Sequence, residues 1–327
     1  MILYIGKRLL MMIPVVIGIS LVVFLVMSLT PGDPARMILG EEAKQEEVDA
    51  LRNKMGLNDP LFIQYGRYIF NGLHGDFGNS YRTKIPVFKE VISRFPTTLK
   101  VAVGAIILAV VLGIPLGILS SVRQYSLVDN ISMVVSMVFT SIPTFWLGLM
   151  LLLVFSQFLG WLPSSGSATF KHFILPCIAL SCNTFALLLR MTRSTMLEEI
   201  RQDYIRTTKA KGARPLRVIF KHALRNALLS IVTVIGLEFG SLLGGSVVTE
   251  SVFGLPGLGT LIVTGVKQKD TPSVMAAVMF IAVTGGLINL FTDVLYTFID
   301  PRLKARFSQI ARTRIRKPLL LGDEKSG

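Results

Sequence analysis

The sequence predicts an all-α integral membrane protein with six membrane-crossing helices and a polar insertion after the first. Three observations predict it. Of 327 residues, 51% are hydrophobic and only 17% charged, against about 25% charged in an ordinary soluble domain. Uncharged apolar runs recur along the chain, each close to the roughly 20 residues that a bilayer crossing takes. The net charge of +14 is concentrated in the segments that join these runs, not spread along the chain.

The first run, Leu9–Leu29, follows Lys7 and Arg8 and carries no charge. A cleaved secretion signal has an apolar core of about 7–15 residues, so residues 1–30 are expected to remain as the N-terminus and first crossing. Residues 31–95 differ in kind, with nine basic and nine acidic residues. "EEAKQEEVDALRNKM" has helical character, and Asn58–Pro60 and Asn71–Gly72 read as turns. Phe62, Tyr65, Tyr68, Ile69 and Phe70 supply packing material. The block therefore reads as a small folded insertion resting on one face of the membrane, not as a linker.

Residues 96–300 hold the other five runs: 101–120, 131–159, 172–189, 227–249 and 271–292. Pro115, Pro143 and Pro176 fall in or at the edges of these runs, where proline marks kinks or starts and neighbouring helices satisfy the freed backbone groups. The 131–159 run is long enough to begin as an interfacial segment before Pro143. Within the 227–249 run the single charge is Glu238. Charge in hydrocarbon is expensive, so Glu238 either lines an aqueous path or has a buried structural partner. Asp293, at the end of the last run, reads as structural. "GGSVVTESVFGLPGLGTLIVTG" (244–265) is rich in glycine and broken by Pro256. It is expected to form a re-entrant or interfacial elbow, with Gly244 and Gly245 permitting close helix packing.

Charge fixes the expected orientation. With the N-terminus in the cytoplasm and six alternating crossings, segments 1–8, 121–129, 190–225 and 300–327 lie inside. They carry +2, 0, +7 and +5, together the whole net charge of +14. That is the positive-inside pattern, with both termini cytoplasmic. A nucleic-acid footprint would need one contiguous basic surface, so no nucleic-acid partner is expected.

Nothing in the chain reads as a catalytic centre. It has no Gly-x-x-x-x-Gly-Lys-Ser/Thr phosphate loop and no nucleophile–base–acid cluster. His74, His172 and His222 lie in separate segments without His-Glu-x-x-His spacing, and Cys177 and Cys182 sit in an apolar run. These residues read as structural, with no metal site and no cofactor.

The most informative stretch is "YIRTTKAKGARPLRVIFKHALRN" (204–226), with seven Lys or Arg and no acid. Gly212 interrupts it, and Pro215 suits the first turn of a new helix. Beyond it, Leu216, Ile219, Phe220, Ala223, Leu224 and Ala227 recur at helical spacing and share one face. Two readings stay open. One is a basic amphipathic helix on the anionic leaflet; the other is a helix–Gly–helix elbow that docks another protein.

This stretch resembles the cytoplasmic coupling loop (198–225) of ABC-importer permease subunits, and within them the dipeptide/oligopeptide/nickel permease family. The general motif is Glu-Ala-Ala, three residues, Gly, nine residues, then Ile-x-Leu-Pro. Arg206, Thr207 and Thr208 occupy the Glu-Ala-Ala positions, Gly212 and Leu224 match, and His222 and Arg225 stand where Ile and Pro are usual. "TPGDPA" (30–35), "SIPTFWLG" (141–148), "GWLPSSG" (160–166), "ESVFGLPGLGTL" (250–261) and "DPRLK" (300–304) extend the resemblance from about residue 1 to 306. The basic tail 301–327 has no counterpart beyond that point and is expected to be mostly disordered.

The resemblance implies the type I ABC-importer permease fold, in a bacterial cytoplasmic membrane. It implies a homologous second permease subunit, two ATPase subunits that use ATP and Mg, and an extracytoplasmic binding protein that delivers substrate. Coupling to the ATPase would fall to Arg206, Thr207, Thr208, Lys209, Lys211, Gly212 and Arg214. Path or gate candidates are Glu238, Glu250, Phe253, Pro256 and Gly257, and the insertion would contact the binding protein or the partner permease. Di- or oligopeptides are the expected substrates; nickel chelates or glutathione by the same mechanism are the alternative. A secondary transporter or channel fits less well, because few acids lie inside the spans; a non-transporting scaffold would predict no uptake defect when the chain is removed.

Overall fold

The computed structural model describes residues 2–40 and 42–299; the basic tail and "DPRLK" lie outside them. Among the described residues the chain is helical, apart from turns and one isolated bridge between Asn79 and Pro86. Helix α1 (Ile2–Leu29) is the first crossing. Three short helices build the insertion: α2 (Pro34–Leu39), α3 (Gln45–Met55) and α4 (Leu61–Leu73).

The next helix, α5 (Val87–Val122), starts earlier than the polar composition suggests. Residues 87–95 of the expected insertion are its first turns. Their charges are accommodated locally: Arg94 pairs with Glu90 one turn away at 2.9 Å. Val87 and Val91 are buried against Leu258, Leu261, Ala276 and Ala277. Pro115 lies inside α5 without ending it.

The third expected crossing is broken. Segments Leu127–Ser141 (α6) and Thr144–Phe158 meet at 99°. The break falls at Pro143, and Ile142 before it is extended (φ −83, ψ 124), as sterics against the following proline ring require. The second segment is α7 (Thr144–Leu151) followed by a π-helical stretch (Leu152–Phe158). Helix α8 (Lys171–Ile200) passes straight through Pro176. Among the described residues, five helices are thus long and apolar enough to cross a membrane, with the bent pair as a sixth.

Helices α5 and α8 form the centre. A ridge of small residues on α5 (Ala102, Ala105 and Ala109, all 0% exposed) lets the two backbones approach, with Leu180, Phe185 and Leu189 of α8 closing over it. After α8 come α9 (Asp203–Ala210) and α10 (Pro215–Arg217). A π-helical stretch (Val218–Ala223) joins α10 to α11 (Leu224–Val252) without a break, so the helical path runs Pro215–Val252. The expected loop 198–225 is therefore mostly helix. Helix α12 (Leu258–Lys267) is short, and α13 (Thr271–Ile299) returns alongside α1. Arg8 pairs with Asp293 at 2.9 Å, tying α1 to α13.

Candidate coupling elbow and gate

The elbow lies between α8 and α11, and a few inward groups hold it. Ile205 of α9 is fully buried in a cluster with Met196, Val218, Ala223, Ala227 and Ile231. The Tyr204 hydroxyl donates to the Glu199 carboxylate and accepts from the Asn226 amide at 2.8 Å. One phenol thereby joins α8, α9 and α11. Partial burial and then the hydrogen bond to Glu199 push that phenol above its ordinary pKa.

The turn is made by Gly212. Its φ is +75 and nothing lies within 4 Å of where a Cβ would stand. Backbone conformation alone explains glycine here, since other residues pay about 1–2 kcal/mol in the left-handed region. Lys211 N–H donates to Thr207 O at 3.1 Å and Gly212 N–H to Lys209 O at 2.9 Å, closing α9. Pro215 then opens the next helix at its first position.

The outward groups are of two kinds. Thr207 and Thr208 turn their hydroxyls back to the carbonyls of Asp203 (3.0 Å) and Tyr204 (2.7 Å). Arg206 faces Asp203 at 3.7 Å with both side chains largely in solvent (78% and 96% exposed), an arrangement worth about 0–1 kcal/mol. Lys209, Lys211 and Arg214 are exposed and have no acidic partner among the described residues. Beside them Leu216 and Phe220 are 69% and 55% exposed. The elbow is thus anchored by Ile205 and Tyr204 and presents cations and two large apolar side chains outward.

The path and gate candidates separate. Glu238 is half-buried and accepts from the Thr184 hydroxyl of α8 at 2.9 Å; among the described residues it has no ion pair. Glu250 is fully buried. Its Oε2 accepts from the N–H groups of Gly259 (2.7 Å) and Thr260 (3.4 Å), capping α12 from the preceding helix. A Cβ on Gly259 would stand 2.4 Å from Val247 Cα, so the helix start sits directly on α11. The Thr98 hydroxyl oxygen accepts from Leu258 N–H at 2.8 Å. Phe253 is 2% exposed in the central core and Gly257 is buried, while Pro256 is exposed. In the single chain, then, Glu250 holds the start of α12, and Glu250, Phe253 and Gly257 are buried and give no surface to a path.

Two polar clusters were not anticipated. Asp270, 3% exposed between α12 and α13, accepts from the Ser80 hydroxyl, from Tyr81 N–H at 3.0 Å and from the Ser273 hydroxyl at 2.8 Å. Its neighbour Lys269, 7% exposed, donates to the carbonyls of Thr30 and Gly32. Together they fasten the end of α1 and the turn before α5 to the α12–α13 turn. The second cluster is at the α5–α6 turn. Arg193 of α8 makes a two-pronged contact with Asp129 at 2.6 and 2.8 Å, and Asp129 also accepts from Ser120 and from Tyr125 N–H.

Known proteins agree with this architecture. Residues 113–305 match the family described as "Binding-protein-dependent transport system inner membrane component", and residues 1–102 match its N-terminal counterpart. The chain is 41% identical to the "Dipeptide transport system permease protein DppB" of Alkalihalophilus pseudofirmus, over 93% of this chain and 100% of that protein. It is 42% identical to the "Glutathione transport system permease protein GsiC" of Escherichia coli K12, over 92% of this chain and 98% of that one. The fold resembles a chain of the inward-facing MetNI methionine ABC transporter (TM-score 0.55, 20% identity, 66% of this chain and 98% of that chain). A chain of an amino acid ABC transporter crystallised with histidines gives a TM-score of 0.50 at 18% identity, covering 65% of this chain and 94% of that one. The chain belongs to the binding-protein-dependent transport system inner membrane components: it is a permease subunit of an ABC importer, related to the dipeptide, oligopeptide and glutathione permeases, and has no ATPase site of its own.

Proposed function

We propose that this chain forms half of the translocation path of an ATP-driven importer of short peptides, and that the elbow around Gly212 is where a partner ATPase moves it. Its other half is a homologous permease. Two ATPase subunits sit on the cytoplasmic elbows, and an extracytoplasmic binding protein delivers substrate. In this reading the elbow, both termini and the α5–α6 turn face the cytoplasm, the side that the positive-inside pattern of basic residues favours. One observation carries this reading. The anchored helix α9 meets, through a left-handed Gly212, a helix that runs unbroken from Pro215 to Val252. Force on the Pro215 side of the elbow therefore reaches the Glu250 cap without crossing a loop.

The substrate reading shifts from the sequence expectation. Di- or oligopeptides were expected first and glutathione second, yet relatives named for dipeptide and for glutathione transport stand at 41% and 42% identity. Glutathione, itself a tripeptide, is thus supported at least as well, and short peptides are the class that covers both. Glu238, half-buried and hydrogen-bonded among the described residues only to Thr184, is the path residue suited to a peptide's ammonium end.

The test is the reconstituted importer with Gly212→Asp. Assembly and basal ATPase should persist while stimulation by loaded binding protein is lost. Unchanged stimulation would remove the coupling role. Uptake of labelled dipeptide and glutathione into the same vesicles, with and without ATP, decides the substrate.

A further inference from the structure

We infer that helix α4 of the insertion lies within the lipid leaflet at the Leu29 end of α1, where the apolar surface of phospholipid tails covers its exposed face. In the orientation proposed above this is the outer leaflet; only the name of the leaflet rests on that reading.

Depth is the first argument. The Tyr65 hydroxyl of α4 donates to the Ile17 carbonyl at 3.0 Å and shares a 2.8 Å hydrogen bond with Ser20. The Tyr65 ring also meets Phe24 at 5.5 Å between centroids. A helix rises 1.5 Å per residue, so Ser20 stands about 14 Å along the axis below Leu29. The uncharged stretch of α1 is about as long as the 30 Å hydrocarbon core, so a helix touching Ser20 and Ile17 cannot stand clear of the bilayer.

The faces of α4 are the second argument. At 100° per residue it has three sectors. Tyr65 and Tyr68 turn towards α1 and the cavity of about 680 Å³ beside it. Gln64, Arg67 and Asn71 form a polar sector facing the rest of the insertion: Gln64 donates to the carbonyls of Leu57 (3.0 Å) and Asp59 (2.7 Å), and Arg67 pairs with Asp59. The third sector holds Phe62, Phe70 and Leu73, exposed by 75%, 63% and 80%. Large side chains this bare, on a helix whose polar groups all point elsewhere, are what an interfacial helix shows to lipid.

Continuity is the third. On α1 the face next to the α4 contact carries Leu21, Val22 and Leu25, exposed by 39%, 61% and 39%. That face belongs to a membrane crossing and meets lipid. The bare sector of α4 extends the same surface at the same level. The insertion therefore differs from the expected domain lying on the membrane: its last helix is part of the membrane-embedded body.

Spin labels in the complete importer, reconstituted in phosphatidylcholine–phosphatidylglycerol vesicles, test this. Single cysteines replace Phe62, Phe70, Leu73 and, as a polar control, Asn71; the native Cys177 and Cys182 are buried. Labels at 62, 70 and 73 should collide with oxygen several-fold more than with a water-soluble nickel chelate, and the label at 71 should show the reverse. Chelate access at 70 and 73 equal to that at 71 would overturn the inference. So would shielding from both reagents, which would mean a protein partner on that face. Adding a membrane-impermeant chelate to one side only separates the two claims. If 71 is reached from the ATPase side while 70 and 73 stay in lipid, the proposed orientation fails and the embedding stands.

Discussion

The two ends of the Pro215–Val252 helix are built on opposite principles. At one end the elbow is fastened by one apolar side chain, Ile205, and one phenol, Tyr204, and leaves Lys209, Lys211 and Arg214 in solvent. At the other end charged groups are buried and held by partners within the same chain. Glu250 caps α12, and Asp270 and Lys269 fasten the α12–α13 turn to the insertion. A buried charge stabilises only while its partners stay in place, so this end resists rearrangement. An exposed cation costs the fold almost nothing and stays available to another chain. The difference marks which end is held by its own chain and which, in the proposed coupling role, would be gripped from outside.

The sharpest test of the rigid end is Asp270→Ala. It strands the Ser80 and Ser273 hydroxyls and Tyr81 N–H. Breaking a buried charged network costs about 3–5 kcal/mol. Thermal unfolding of the purified complex should show the loss, and a variant as stable as the parent would refute the contrast. Arg193→Ala, which strands the 1%-exposed Asp129, belongs in the same range.

A pH scan probes the rigid end more gently. Burial, and then the Asp270 charge, push the Tyr81 phenol up to about 12, against an ordinary value near 10. The folded state therefore favours the neutral phenol. Its contribution is whole below pH 10 and is lost as pH rises from there through about 12, amounting to roughly 2–3 kcal/mol. Tyr81→Phe keeps the backbone bond to Asp270 and should flatten the stability profile in that window. An unchanged profile would mean the phenol is not held as the structure places it.

This contrast also explains what the sequence could and could not reveal. The crossings were legible because an apolar run is a local signal, and the elbow because Gly212, Pro215 and the helical spacing lie within a few residues of one another. The third run misled, since Pro143 announces a break but not the 99° angle, which depends on what the two halves pack against. The insertion ran too long because Lys89, Glu90 and Arg94 read as polar cover, when their helix continues into the core. Glu250 was a gate candidate only through the resemblance carried by "ESVFGLPGLGTL". Its partners, the N–H groups of Gly259 and Thr260, are backbone atoms that no side-chain pattern reports. Asp270 was invisible for a related reason: Ser80 is 190 residues away in the chain.

At the elbow the turn comes before the charges. Gly212→Val forces a β-branched residue into the left-handed region at about 1–2 kcal/mol, whereas Gly212→Asn suits that conformation better. With nothing near the Cβ position, Asn should keep most of the ATPase stimulation and Val should lose most of it. Equal losses would mean that a close approach by the partner, not backbone conformation, sets the need for glycine.

The smallest expected effect is also the most diagnostic. Lys209→Ala, Lys211→Ala and Arg214→Ala remove exposed groups with no acidic partner among the described residues, so each should shift stability by less than about 0.5 kcal/mol. Their cost should appear only against the ATPase subunit. Each lost rim charge should weaken association by about 0.2–1 kcal/mol, chiefly through a slower on-rate. Added salt should shrink the difference between parent and variant, because surface charges are screened over about 8–10 Å at ordinary ionic strength. The control is Ile205→Ala, which leaves every cation in place but removes the anchor. It should lower stability by about 2–5 kcal/mol and should not respond to salt. If the lysine variants lost stability as Ile205→Ala does, the cations would be part of the fold, and the elbow would be built like the other end of its helix.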